Sequence, residues 1–313
     1  MFVQQQPAIQ VFKVFTEMPA EFRRTGERSE WADINRGGAL LDSFLEGPVF
    51  DVQGNLYVTD IIFGRIFKVD TKGAWTLVVE YDGEPNGMKF FSDNELLITD
   101  YKNGLMRLNI HSGKLTRHLV RRNTESFKGV NDLTCDSLGN VYFTDQGQSG
   151  LHDPSGRVYR LRPSGQLDLL LANVPSPNGL VLSPDEKVLW IAVTRGNCVW
   201  RAPLMPDGSV AKVGQFFTSY GPSGPDGLAV DIAGNLAIAN PGLGYAWLVN
   251  HRGEPIAVWS SPRGTTVTNL AYGGQNNQTL YCTEADTATI LMASMPHPGA
   301  PVYRPKNSES LTR

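Results

Sequence analysis

The chain has 313 residues, 41% of them hydrophobic and 19% charged, with a formal net charge of −3. That is the composition of an ordinary globular protein, and a slightly acidic balance without a basic cluster gives no reason to expect nucleic acid as a partner. No apolar run is long enough to span a bilayer, so no membrane partner is expected.

The N-terminus, Met1 to Pro7, lacks the basic start and apolar core of a signal peptide. Cys135, Cys198 and Cys282 fall in expected strands without metal-type spacing, which fits a reducing compartment, so the expected location is cytoplasmic. Val11 to Phe15 then reads as a lone strand. Residues 16–45 are rich in charge and glycine and show no sustained helical period.

From Glu46 onward one grammar repeats. A dipeptide opens a short strand at Glu46-Gly47, Asn86-Gly87, Asn131-Asp132, Asn178-Gly179, Asp226-Gly227 and Asn269-Leu270, at intervals of 40, 45, 47, 48 and 43 residues. In three copies the strand ends in an Asp-x-x-Gly-Asn turn (Asp51 to Asn55, Asp136 to Asn140, Asp231 to Asn235) and a second strand follows. Glycine and asparagine tolerate the positive φ that such hairpins require. The other three copies keep the strands but change the turn, and two more short strands usually complete the unit. Four strands in about 40–50 residues is the period of a propeller blade.

The expected fold is therefore all-β: a six-bladed β-propeller of four-stranded antiparallel blades, forming a single domain over 1–313. The length alone would suggest two domains, but closed β architectures exceed that prior. The blades occupy about 46–292, residues 293–313 form a C-terminal tail, and 16–45 make an excursion over one face of the disc. The last blade has room for only three strands, so the run Val11 to Phe15 is expected to supply the fourth. It would close the ring and remove an open edge.

In every copy the first residue of the dipeptide carries a side-chain oxygen, which packing alone does not require. A radial repeat brings the six together on one axis, where Glu, Asp and Asn oxygens suit a hard cation. The competing reading of each Asn-Gly is a turn residue bonding its own backbone. Neither His nor Cys occupies a ring position, which argues against a zinc site of the nitrogen–sulfur type. Asp60, Asp100 and Asp145, each ending a second strand, read as blade-to-blade hydrogen-bond anchors. Other catalytic patterns are poor. Gly221 to Pro225 lacks the spacing of a nucleophile elbow, the five histidines do not pair at ligand spacing, and no dinucleotide fingerprint is present.

Glu46-Gly47-Pro48, Pro85-Asn86-Gly87-Met88, Val130-Asn131-Asp132-Leu133, Pro177-Asn178-Gly179-Leu180, Pro225-Asp226-Gly227-Leu228 and Thr268-Asn269-Leu270 occur in order at blade spacing. In this the chain resembles the senescence marker protein/gluconolactonase/luciferin-regenerating-enzyme family, with diisopropyl fluorophosphatase a more distant likeness. The resemblance implies one divalent cation in the central tunnel, usually calcium, with magnesium, manganese, zinc or iron as alternatives. It implies the ligands Glu46, Asn131, Asn178 and Asp226, leaving Asn86 and Asn269 as substrate or supporting contacts. The implied activity is metal-dependent opening of a small-molecule lactone, with Asp226 receiving or positioning the proton of the attacking water and Asn131 assisting.

The long loop after Asp145 is expected to shape the pocket and to bring His152 to the substrate, with Phe63, Arg195 and Tyr245 on related connections. Sugar lactonases of the family often carry arginine two residues before the third ring residue; here that position is Gly129, which counts against a polyhydroxylated sugar lactone and permits a less polar one. Two other readings stay open: a phosphotriesterase-like hydrolase, in which Asp226 attacks directly, and a non-catalytic propeller stabilised by its ion. A lyase or isomerase is a third. Oligomeric state is not legible.

Overall fold

The computed structural model describes residues 7–302. Six blades of four antiparallel strands, one of them extended by a fifth, follow one another along the chain, each with its first strand innermost: blade 1 from Leu45, blade 2 from Pro85, blade 3 from Val130, blade 4 from Pro177, blade 5 from Leu228 and blade 6 from Val267. Helix is confined to Glu30–Asn35 and a few single turns. The hydrophobic core of the described residues is not one mass but six clusters, each lying between two neighbouring blades, with a smaller seventh under the excursion around Phe44, Ile61 and Ile62. Ile98 and Met88 of blade 2 pack with Tyr57 and Ile66 of blade 1, for example, and Ala288 and Ile290 of blade 6 pack with Leu56 and Phe67 of blade 1. The last contact closes the ring.

The turn chemistry read from the sequence is present atom by atom. Asp136 Oδ1 accepts from the backbone N–H of Leu138 and Asn140, and its Oδ2 accepts from Asn140 Nδ2 at 2.7 Å. Asp51 and Asp231 repeat the arrangement with Asn55 and Asn235. An acid that accepts three such bonds fixes the hairpin without help from the strands.

The N-terminal closure differs in detail from the expectation. Lys13–Glu17 supplies the outer strand of blade 6, pairing antiparallel with Thr289–Ser294. Ile9–Val11 instead adds in parallel to Pro255–Ser260 of blade 5. The break falls at Phe12, whose buried ring packs near Trp259 in the cluster between blades 5 and 6 while its N–H donates to Ser260 O. One strand expected on one blade is thus a clasp across two.

The excursion crosses the face on which the inner strands begin. Its short helix, capped by Ser29 Oγ on Ala32 N–H, sets Trp31 against Phe44, with ring centroids 4.6 Å apart. At the opposite face the chain returns after Ser294, where Ile232 N–H donates to Pro298 O and Ala300 N–H to Val230 O, both at 2.9 Å. The described end of the chain therefore lies across the far mouth of the tunnel.

Candidate metal centre

Five of the six recurring dipeptides fall at or beside a bulge rather than in a hairpin turn; the strand after Asp226-Gly227 pairs without a slip. Strand register slips between Glu46 and Val49, Pro85 and Met88, Val130 and Leu133, and Pro177 and Leu180, with a shorter slip before Asn269. Such a slip breaks the alternation of side chains and re-aims one of them. The glycines serve clearance. A Cβ at Gly47 would fall 2.0 Å from Asn86 O, and at Gly87, Gly179 and Gly227 it would strike Asp132 Oδ1, Asp226 O and Asn269 Oδ1 at 2.1 to 2.4 Å. Each glycine lets the next blade's ring residue, or the residue beside it, approach the axis, which a turn reading of Asn-Gly does not require.

The ring divides into open and closed positions. Asn86, Asn131, Asn178 and Asp226, on four successive blades, each hold a buried Oδ1 with no hydrogen-bond partner. The remaining two positions bond each other: Asn269 Nδ2 donates to Glu46 Oε2 at 2.8 Å, and the same oxygen accepts from Gly47 N–H. Asn269 Oδ1 accepts from Leu270 N–H, so both ends of that amide are engaged. Asn131 Nδ2 donates to Gln146 Oε1 at 3.0 Å, and Gln146 Nε2 donates to Ser176 Oγ, which fixes the flip that leaves Asn131 Oδ1 free.

A third carboxylate joins the centre. Asp132 stands where most repeats have glycine; it is buried, accepts from Leu133 N–H and lies 3.5 Å from Asn269 Nδ2. Burial, then the Asp132 charge, push Glu46 up to about 8. Burial followed by the charges of Glu46 and Asp132 raises Asp226 well above the carboxylate range, and burial raises Asp132 too. Four orphaned oxygens beside mutually repelling acids are costly as they stand, and a hard cation relieves both costs. The donor set fits such an ion. Among the described residues no three His, Cys, Asp or Glu side chains group as a metal site, so amide oxygens must complete any such shell.

The sequence-expected mouth residues are only partly drawn in. His152 is exposed beside Gly150, near Arg195, whereas Gln146 and Gln148 of the same loop face inward or bridge. Gln148 Nε2 donates to both Tyr101 Oη and Asn35 Oδ1, tying the loop to blade 2 and to the excursion. Phe63 packs with the excursion under Arg24 and Arg65, and Tyr245 packs on Trp247, both within the scaffold. At Gly129, φ is +148° and a Cβ would come 2.5 Å from the Tyr101 ring, so an aromatic side chain fills the space a side chain at 129 would need. Asp60 and Asp145 are hydrogen-bond anchors, but within a blade and not from blade to blade: they accept from the N–H groups of Phe44 and of Lys128 and Gly129, in the connectors that enter their own blades.

Sequence reasoning missed Asp132, Gln146 and Arg36. The only signal for Asp132 was an acid at a position that is glycine in four of the six copies. Arg36 is an exposed residue of the excursion whose guanidinium lies 4.8 Å from the Phe44 ring centroid and whose charge acts favourably on Asp226.

Fold and site together define a six-bladed propeller with an oxygen-donor ring in its tunnel. The chain belongs to the SMP-30/gluconolactonase/LRE-like family, whose profile matches residues 44–286. It is 33% identical over 238 residues to lactonase drp35 of Staphylococcus haemolyticus, covering 72% of this chain and 71% of that protein. It superposes on a gluconolactonase from Xanthomonas campestris with a TM-score of 0.72 at 22% identity, covering 94% and 99% of the two chains. Regucalcin of Agrobacterium tumefaciens, described as a calcium-binding protein, gives 0.71 at 22% identity over 84% and 92%. Among the described residues no helix is long and apolar enough to cross a membrane.

Proposed function

We propose that the protein is a lactonase that opens a small-molecule lactone ring at one divalent cation, calcium in the first instance, held by Glu46, Asn131, Asn178 and Asp226. The observation that carries this reading is the set of orphaned buried oxygens on Asn86, Asn131, Asn178 and Asp226, converging beside Glu46. The lactonase and gluconolactonase names of its relatives give the substrate class. The three buried free thiols suit a cytoplasmic setting.

The cation would supply a Lewis-acidic charge beside the ester carbonyl, stabilising the negative charge that develops there. The residues do the rest. Asn269 holds Glu46 in one orientation, and Gln146 holds Asn131 with its oxygen inward. Asn86, whose oxygen is equally open but which the family pattern leaves off the ligand set, contacts substrate. Asp226, half-buried with one free oxygen, accepts the proton of the attacking water and returns it to the leaving alkoxide. His152 at the outer loop meets the part of the substrate furthest from the ester.

The test is acid release from a panel of aldono-, aliphatic and aromatic lactones by chelated protein, with and without added calcium. Calcium-dependent hydrolysis that disappears in Asp226→Ala supports the reading. Turnover by metal-free Asp226→Ala protein, or silence across the panel in a protein that calcium protects from melting, rejects it.

A further inference from the structure

Below the ring the tunnel widens into a separate cavity of about 290 Å³, walled by the inner strands of all six blades and floored by Ala300 to Val302. The walls are mixed: aliphatic side chains such as Leu182, Leu228 and Val230 share them with polar ones, Thr134, Ser183 and Asn277 among them. Two acids at its edge are already satisfied. Asp51 is spent on its turn, and Glu186 accepts from Ser137 N–H and Oγ. Lys89 is different. Half-buried, it lines the cavity, and among the described residues its ammonium enters no ion pair and no side-chain hydrogen bond. Its charge reaches Glu46 and Asp132 above it, but those acids take their hydrogen bonds from Gly47, Leu133 and Asn269. An ammonium group carries three donors and no acceptor, and here it borders a chamber at the small end of ligand-pocket size whose wall is aliphatic along Leu182, Leu228 and Val230.

We propose that this lower chamber is a second binding site, taking a short aliphatic carboxylate whose head group meets Lys89 and whose chain lies along Leu182, Leu228 and Val230. A bare inorganic anion would satisfy the lysine but leave the aliphatic walls wet, whereas a neutral hydrocarbon would leave the ammonium without an acceptor. An amphiphilic acid answers both demands. The C-terminal segment, held by its bonds to Val230 and Ile232, forms the floor against which the chain end rests. The inference does not depend on lactone hydrolysis, since it concerns residues outside the ring.

The experiment is calorimetric titration of octanoate into the calcium-loaded full-length protein, with octanamide and inorganic phosphate in parallel. Octanoate is expected to saturate one site. Lys89→Met should weaken it by about tenfold or more while leaving the weaker binding of octanamide unchanged. Ala229→Leu, which puts bulk into the cavity wall, should weaken both and provides the reading if the lysine variant fails to fold. Calcium titrations of both variants separate an effect on the ring from one on the chamber. The proposal is overturned by an absence of saturable octanoate binding, by equal octanoate affinity in wild type and a folded Lys89→Met, by undiminished binding in Ala229→Leu, or by phosphate displacing octanoate as well as octanoate itself does.

Discussion

Thr144 Oγ1, at the end of the second strand of blade 3, donates to the backbone carbonyl of Asn178 in blade 4 at 2.8 Å. The same bond recurs around the disc. Thr59 donates to Asn86 O, Thr99 to Asn131 O, Thr194 to Pro225 O and Thr268 to Leu45 O. Five of the six ring residues are thus fixed, directly or through a neighbour, by a hydroxyl of the preceding blade, whereas the backbone of Asn269 is held by Thr283 of its own blade.

Thr144→Val keeps the shape and removes the donor. It leaves Asn178 O buried without this partner and should destabilise the fold by about 1–3 kcal/mol. Denaturant unfolding measures that loss. Calcium affinity should fall as well, because Asn178 loses its fixed backbone; unchanged calcium affinity would separate the threonine girdle from the ring.

How much of this was legible without coordinates depends on what period can encode. The 40- to 48-residue spacing and the Asp-x-x-Gly-Asn turns specified blades and hairpins, because both are local and repeat. The same regularity picked out all six ring positions, from which the family resemblance singled out Glu46, Asn131, Asn178 and Asp226, but it could not tell a turn from a bulge, since both use Asn-Gly. Asp132 was hidden because a bulge aims two consecutive side chains inward, which strand alternation forbids. The swap of partners at Phe12 was hidden as well: an alternating run does not say which of two neighbouring sheets it will join.

Glu46, raised to about 8 by burial and by Asp132, makes the metal-free protein sensitive to pH. Between the ordinary glutamate value of 4.5 and 8 the folded state binds more protons than the unfolded state. Its stability is therefore greatest at the acidic end of that window and falls as pH rises through it. Chelated protein should melt progressively lower from pH 5 to pH 8. Calcium should flatten or reverse the slope, because the ion competes with the same proton. A metal-free melting temperature that rises over this range would contradict the buried acid cluster.

Asn178→Ala separates stability from binding. It deletes an orphaned buried oxygen together with the amide's hydrogen bond to Asp226, two losses that offset each other, so the metal-free protein should melt close to wild type. The upward shift that calcium gives should shrink, since one donor is gone. Differential scanning calorimetry with and without calcium reads both quantities in one series. A large loss in the metal-free state would mark Asn178 as a structural amide instead.

Gly129 and Tyr101 should behave as a pair. A side chain at 129 meets the Tyr101 ring at 2.5 Å, and the backbone there has a φ that only glycine adopts freely. Gly129→Arg alone should therefore fold poorly or lose the loop that Gln148 ties to Tyr101. Adding Tyr101→Ala removes the collision but not the backbone strain, so the double variant should recover part of the stability, a coupling that a double-mutant cycle measures. If the arginine is what directs relatives toward sugar lactones, the double variant should gain on aldonolactones relative to aliphatic lactones, read as a ratio of kcat/KM values. An unchanged ratio in a folded double variant would place substrate preference elsewhere on the mouth, on the excursion that carries Arg36 or the loop that carries His152.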